Sequence, residues 1–321
     1  ALDGMTLGYA NSQPSTNTGA SPLLFSAMAY YVHLQDLQFT AGSYAMRLAS
    51  GVPYPWGTFW HELHFASGLT GGAIDFSQGV TGSPNADWGR FSISCTNMVG
   101  PVFNVVLGNA RIGVLEFLSA NQGPRLFTFQ SGSTVSIGSM TVEGSAWSTG
   151  QQIFQFSSGC DAIIGDLGFA GGAGNTLNVP GGQFLILIEV GANSRVVVNK
   201  LSTGNFSSKP GAGTPVLVSA ASTAQVTIGR ATISSDWRLH SLGSSETADH
   251  LTVEAYINDM MSPNKGDADY TASLGDPNIV TFQTPFTAAR TITLPSDGDS
   301  LCNGLYYRLV FNGSVNGANT A

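Results

Sequence analysis

A six-residue pattern returns along this chain at an interval that few folds can use. It consists of a large apolar residue, a turn former that is most often Gly, a variable residue, an apolar residue, a variable residue and a last apolar residue. It reads Leu34-Gln-Asp-Leu37-Gln-Phe39, Trp60-His-Glu-Leu63-His-Phe65, Trp88-Gly-Arg-Phe91-Ser-Ile93 and Ile112-Gly-Val-Leu115-Glu-Phe117. It continues as Ile137-Gly-Ser-Met140-Thr-Val142, Ile164-Gly-Asp-Leu167-Gly-Phe169, Val198-Asn-Lys-Leu201-Ser-Thr203 and Ile228-Gly-Arg-Ala231-Thr-Ile233. The central apolar positions 37, 63, 91, 115, 140, 167, 201 and 231 are 26, 28, 24, 25, 27, 34 and 30 residues apart. Self-similarity at such a period marks stacked units, each burying its apolar face only against its neighbours. The alternation within each copy makes the unit a set of strands. The chain is therefore expected to be all-β: a right-handed parallel β-helix of about nine coils followed by a small C-terminal β domain.

The turn former supports this reading. Gly occupies the second position in five of the eight copies (89, 113, 138, 165 and 229) and Asn199 in a sixth, although only 40 of 321 residues are Gly. Gly, and next best Asn, tolerate the positive φ that a sharp bend between strands often needs. Each repeat also has an upstream apolar strand, such as Ala73-Ile-Asp-Phe76, Leu126-Phe-Thr-Phe129 and Ile153-Phe-Gln-Phe156. In four repeats its last inward residue stands six positions before the next strand, as in Phe129 to Val135 and Phe156 to Ala162. The eight central residues, Leu37, Leu63, Phe91, Leu115, Met140, Leu167, Leu201 and Ala231, are expected to form one internal column.

Composition narrows the function. Charged residues make up 10% of the chain, against ~25% in ordinary domains, so hydroxyls and amides supply the polar surface. The net charge of −8 and the lack of any Lys/Arg cluster make nucleic acid and anionic membrane poor partners. No apolar run approaches the ~18 residues that span a bilayer. Cys95, Cys160 and Cys302 are few, far apart and without metal-ligand spacing, so no metal and no cofactor is expected. Trp60 and Trp88 occupy inward positions and read as core.

The ends differ from the middle. Leu2-Asp-Gly-Met5-Thr-Leu7 repeats the pattern 32 residues before Leu37, so the chain is expected to begin within a coil of a longer polypeptide. Leu251 to Ile257 reads as a degenerate last coil. The expected division is a β-helix over 1–257, a polar linker over 258–276 and a small β capping or trimerisation module over 277–321. Its strands are read at Asn278 to Phe282, Arg290 to Leu294 and Leu305 to Phe311.

With coils of the type Val-Ser-Ile137-Gly-Ser-Met-Thr-Val142 joined to a module holding Phe282-Gln-Thr-Pro-Phe-Thr-Ala-Ala-Arg-Thr-Ile-Thr-Leu-Pro295 and Asn303-Gly-Leu-Tyr-Tyr-Arg-Leu-Val-Phe311, the chain resembles the distal part of a bacteriophage tailspike or tail fibre. The helical part is shared with pectate-lyase-like proteins generally, while the C-terminal motif is narrower. The resemblance implies a homotrimer on the virion, attached to the rest of the phage tail through a preceding segment. It implies binding, and often cleavage, of a bacterial surface polysaccharide, capsule or O-antigen. It transfers no catalytic residue, because such residues hold no common position in the family.

Site candidates therefore come from the register. Asp36 and Glu62 share one turn position on neighbouring coils, roughly one coil rise (~4.8 Å) apart at the backbone. Carboxyls ~5 Å apart suit a retaining glycosidase and those ~6.5–9.5 Å apart an inverting one, and side-chain reach allows either. His64 and Glu116 are expected to face outward two coils apart with Ser92 between them. His33 and His61 fall near the carboxylates. Tyr54 and Trp56, in the loop Gly51-Val-Pro-Tyr-Pro-Trp-Gly57, offer faces for stacking on sugar rings. Asp36, Glu62, His64 and Glu116 are thus the catalytic candidates, and Tyr54, Trp56, His33 and His61 the carbohydrate-binding ones. The alternatives are solvated turns for the carboxylates and a subunit contact for the loop. A tailspike depolymerase, hydrolase or lyase, is the first functional reading; a non-catalytic trimeric adhesin is the second. A secreted polysaccharide lyase is third, since no Asp cluster for Ca²⁺ and no Arg/Lys base is in view.

Overall fold

The computed structural model describes residues 2–11, 13–17, 19–79, 84–95, 98–99, 102–122, 125–143, 146–147, 151–169, 175–234, 236–240, 251–256, 266–271, 279–282, 288–293 and 308–311. Within these the chain is a parallel β-solenoid with no helix. Every strand pairing is parallel, and each strand pairs with the equivalent strand of the coil before or after it. The solenoid makes about seven turns rather than about nine. The sequence pattern also counts end strands such as Leu251–Tyr256, which no further described coil completes.

The internal column is present as expected. Leu37 pairs with Leu63, Leu63 with Phe91, Phe91 with Leu115, Leu115 with Met140, Met140 with Leu167, Leu167 with Leu201 and Leu201 with Ala231. All eight are fully buried. The register extends back to Met5 and on to Tyr256. A one-residue slip would turn every one of these side chains to solvent, so the buried face fixes the pairing of each coil. Upstream strands stack likewise, with Phe129, Phe156, Val190 and Ala220 in one row and Val135, Ala162, Val196 and Val226 in the next.

Aromatic rings fill the wide part of the core. The Trp60 and Trp88 rings stack with centroids 5.0 Å apart, and Trp88 Nε1 donates to Thr58 Oγ1 at 2.9 Å. Phe129 and Phe156 stack at 4.9 Å, and Phe103 and Phe127 at 4.7 Å. Such pairs add ~0.5–1.5 kcal/mol each beyond the area they bury. Cys160 is a free, buried thiol, and burial pushes its pKa up.

The glycines of the six-residue pattern serve a different purpose from the one expected. None of Gly89, Gly113, Gly138, Gly165 and Gly229 has a positive φ. Each lies against the coil below: a Cβ on Gly113 would stand 2.6 Å from the Gly89 carbonyl oxygen, on Gly138 2.5 Å from that of Gly113, and on Gly165 2.2 Å from that of Gly138. At 113, 138, 165 and 229 backbone meets backbone, and at Gly89 the missing Cβ makes room for the His61 side chain. In these later coils positive φ falls at a different turn, where Gly132, Gly159 and Asn193 each stand three residues after the upstream strand.

In the C-terminal part, Tyr270–Thr271 pairs with Ile292–Thr293 and Ile279–Phe282 with Arg308–Phe311, so each of the three expected strands contains a described one. Arg290 Nε donates to Asp267 Oδ1 at 2.6 Å. Cys302, Ile257, residues 258–265 and 272–276 of the expected linker, and residues 277–278, 283–287, 294–307 and 312–321 of the module lie outside the described residues.

Candidate functional site

The sheet that carries the pattern presents three outward rows, each fixed by the parallel register. Before the bend the row is His33, Phe59, Asp87, Arg111. After it the row is Thr6, Gln38, His64, Ser92, Glu116, Thr141. The bend itself holds Gly4, Asp36 and Glu62 on successive coils, all in the left-handed region with φ of 61, 48 and 52°.

Asp36 and Glu62 are the main feature of the site. Both are exposed, and both adopt a backbone conformation that costs a residue other than Gly roughly 1–2 kcal/mol. The flanking core residues enforce it: Leu34 and Leu37 must both point inward across a two-residue bend, as must Trp60 and Leu63 on the next coil. Residues held in sparsely populated conformations concentrate at ligand sites, where the surrounding structure overdetermines them. A shallow, open depression of about 460 Å³ lies over this bend, lined by Gly4, Met5, Thr6, Asp36, Gln38 and His64.

The other candidates divide. His64 is half-buried and lines the depression beside Asp36. Glu116 stands two coils from His64 with Ser92 between them, as the register predicts, but it is committed elsewhere. Arg90 donates to it through Nη2 at 2.8 and 3.1 Å and through Nε at 3.2 Å. The Glu116 carboxylate raises the Arg90 pKa, and Glu62 adds to the same effect from the other side. Asp36 and His64 thus line one depression, Glu62 holds the same bend position on the next coil within the field of Arg90, and Glu116 is tied to Arg90 in an ion pair. His61 lies over Gly89, so close that a Cβ there would stand 2.4 Å from its Nδ1. His33 stacks on Phe59 with centroids 4.8 Å apart.

Of the two loop aromatics, only Trp56 is placed as expected. Tyr54 is half-buried, with its ring edge-on to Phe76 at 5.9 Å and its edge against Gly79. It serves to pack the loop onto the core and does not present a face. Burial first, then the charge of Asp75, pushes its pKa above the usual 10.0. Asp75 is itself a buried ion-pair partner that sequence reasoning did not single out. Its Oδ2 accepts from Arg47 Nε at 3.2 Å, and its Oδ1 accepts from Ser77 N at 3.1 Å, Ser77 Oγ at 2.6 Å and Asn104 Nδ2 at 3.1 Å. These contacts complete the carboxylate's shell and hold two neighbouring coils together.

Two further aromatics were missed. Tyr30 pairs in register with Trp56, and Tyr31 stacks over Phe59 at 6.3 Å. The spacing of 26 residues between Tyr30 and Trp56 equals that between Leu37 and Leu63, which was the signal available in the sequence. Among the described residues no group of three or more His, Cys, Asp or Glu side chains could hold a metal ion. Comparison of the chain with protein-family models, with curated proteins and with solved structures finds no match, so the arrangement of its own residues is what defines the site.

Proposed function

We propose that the protein binds a bacterial surface polysaccharide on the outer face of its N-terminal coils and depolymerises it, as a homotrimeric phage tailspike does at the host cell surface. The observation that carries this reading is the pair Asp36 and Glu62, held in strained conformations on adjacent coils beside a depression that also contains His64. Two carboxyls on adjacent coils can divide the work of glycoside hydrolysis. The protonated one gives its hydrogen to the glycosidic oxygen as the C1–O bond breaks. The other either attacks C1, to be displaced later by water, or takes a proton from the water that attacks directly. In both cases the hydroxyl of water ends on C1 and a hydrogen on the departing sugar. The remaining support is the solenoid fold, which offers a long face with few charges for an extended polymer.

A second reading is a non-catalytic adhesin with the same binding face, and the shallowness of the depression favours it, since little there excludes water. Incubation with capsule or O-antigen from the host bacterium, followed by size-exclusion chromatography, separates the two. Shortened chains that depend on Asp36 and Glu62 support the depolymerase, and binding without shortening supports the adhesin.

A further inference from the structure

The exposed large apolar side chains are not spread evenly. Tyr30 (64% exposed), Tyr31 (62%) and Trp56 (56%) stand together on two adjacent coils, just upstream of Asp36 and Glu62 on the same strands. We propose that these three aromatics form a stacking platform for a neutral polysaccharide chain, which lies along the strands, crosswise to the solenoid axis, and reaches the carboxylates at the bend. This rests on the reading of Asp36 and Glu62 given above and adds the orientation and chemical class of the ligand.

Three observations support the platform. Tyr31 has φ of 52°, a genuine outlier for so bulky a residue. The strained conformation places its ring beside Gly57, where a Cβ would stand 3.2 Å from the Tyr31 ring. Gly57 itself has φ of 75°, so both coils bend where the rings lie. Phe59 backs this arrangement, stacked against both Tyr31 and His33 of the neighbouring coil, which supports the Tyr31 ring. Rigid, supported, exposed rings suit the apolar faces of pyranosides, and Tyr adds a hydroxyl for their rims.

The orientation follows from the register. Aromatics at 30, 31 and 56 and carboxylates at 36 and 62 occupy the same two coils, so the line joining them runs along the strands. Tyr31 to Asp36 is five residues, ~16 Å of extended strand, which requires an oligosaccharide rather than a single sugar.

The charge follows from the neighbours. The nearest cations in the register are Arg90, which is bidentate to Glu116, and Arg111, which lies beside Asp87. Asp36 and Glu62 put two acidic groups at the end of this path, and a polymer of uronates would meet repulsion from the one that is ionised. A neutral chain meets none. It also lacks the C5 carboxylate that β-elimination uses to acidify the C5 proton, so cleavage here is hydrolysis.

An array of bacterial polysaccharides, with neutral and with uronate-containing repeats, tests this on the intact chain. Retention confined to neutral repeats, weakened ~10-fold or more by Trp56→Ala and by Tyr30→Ala, with KM raised and kcat little changed, is the expected result. Retention of uronate polymers, of no polymer, or of neutral polymers unchanged by both substitutions overturns it. If light scattering shows that Trp56→Ala dissociates an oligomer, the rings are a subunit interface and the proposal fails. Hydrolysis that needs Asp36 and Glu62 but not Trp56 would refute the platform and keep the acid pair. Binding that needs Trp56, with turnover intact in Asp36→Asn and Glu62→Gln, would refute the acid pair and keep the platform.

Discussion

The first three coils and the coils after them turn the same corner in different ways. At Gly4, Asp36 and Glu62 the bend uses a left-handed residue in its third position. From Gly89 onward it uses a second-position residue without positive φ, Gly in all but the coil of Asn199, and from Gly113 on these glycines are pressed against the backbone of the coil below. The later coils gain close stacking and place outside either small, uncharged groups, such as Ser139, Thr141 and Gly168, or charges that face one another across coils, such as Asp166 and Lys200. The early coils accept strain and hold carboxylates, imidazoles and exposed rings on their surface. Strain and chemistry therefore coincide in one region, while the rest of the solenoid is built for regularity.

The largest effect is expected where the later coils are tightest. Gly165→Ala places a Cβ 2.2 Å from the Gly138 carbonyl oxygen, so backbone must move, at a cost of ~2–3 kcal/mol. Asn199 carries a Cβ at the equivalent position, which shows that one coil can yield and keeps the figure from being larger. Gly4→Ala meets nothing within 4 Å and should lose only the ~1 kcal/mol of its left-handed conformation. Urea midpoints of the two variants measure the difference, and equal losses would mean that the two bends are not distinct.

Asp36→Asn and Glu62→Gln should each lower depolymerisation about a hundredfold, or ~2.7 kcal/mol of transition-state stabilisation. The melting temperature should stay unchanged, because both side chains are exposed. Unchanged turnover in both would remove chemistry from this bend.

Asp36→Gly and Glu62→Gly should do the opposite to stability. Gly adopts φ near 50° without penalty, so each should stabilise the fold by a few tenths to ~1 kcal/mol while abolishing turnover. A loss of stability in both would show that the carboxylates are held for packing, and the contrast between functional and structural coils would fall.

Most of the fold was legible in the sequence because a buried face at period two permits one register only. Leu37 through Ala231 could be aligned by eye, and the pairings follow that alignment residue for residue. What could not be read was why a residue stands where it does. A glycine needed for positive φ and one needed for close approach look identical in a sequence, so Gly138 and Gly132 could not be told apart. Tyr54 was misjudged because its burial depends on Phe76, 22 positions later, across a loop whose path no local pattern predicts. That Glu116 is bound to Arg90 could not be read either, because Arg90 sits on the previous coil two residues before Ser92, the register partner of Glu116, a diagonal contact that depends on side-chain reach.

The smallest expected effect concerns the ionisable groups that the two regions place differently. In the later coils the pairs Asp161 with Arg195 and Asp166 with Lys200 are 4.0 and 3.9 Å apart and exposed, where such contacts contribute little. In the early coils Asp75 is buried among Arg47, Ser77 and Asn104, with Tyr44 and Tyr54 alongside. Burial, and then the charge of Asp75, raises both tyrosines above 10.0, while Arg47 partly offsets this at Tyr44. The folded state therefore holds these phenolic protons more tightly than the unfolded chain does. Their contribution is complete below the unfolded pKa of about 10 and is lost as pH rises through the higher folded values. Melting temperature should thus fall as pH rises above about 10, and fall less in the double variant Tyr44→Phe/Tyr54→Phe, which keeps both rings and removes both titrations. Because both groups are half-exposed, the difference should amount to a few degrees at most. An identical fall in the variant and the parent would mean that alkaline unfolding starts elsewhere, and would leave the Asp75 cluster as a packing feature without electrostatic weight.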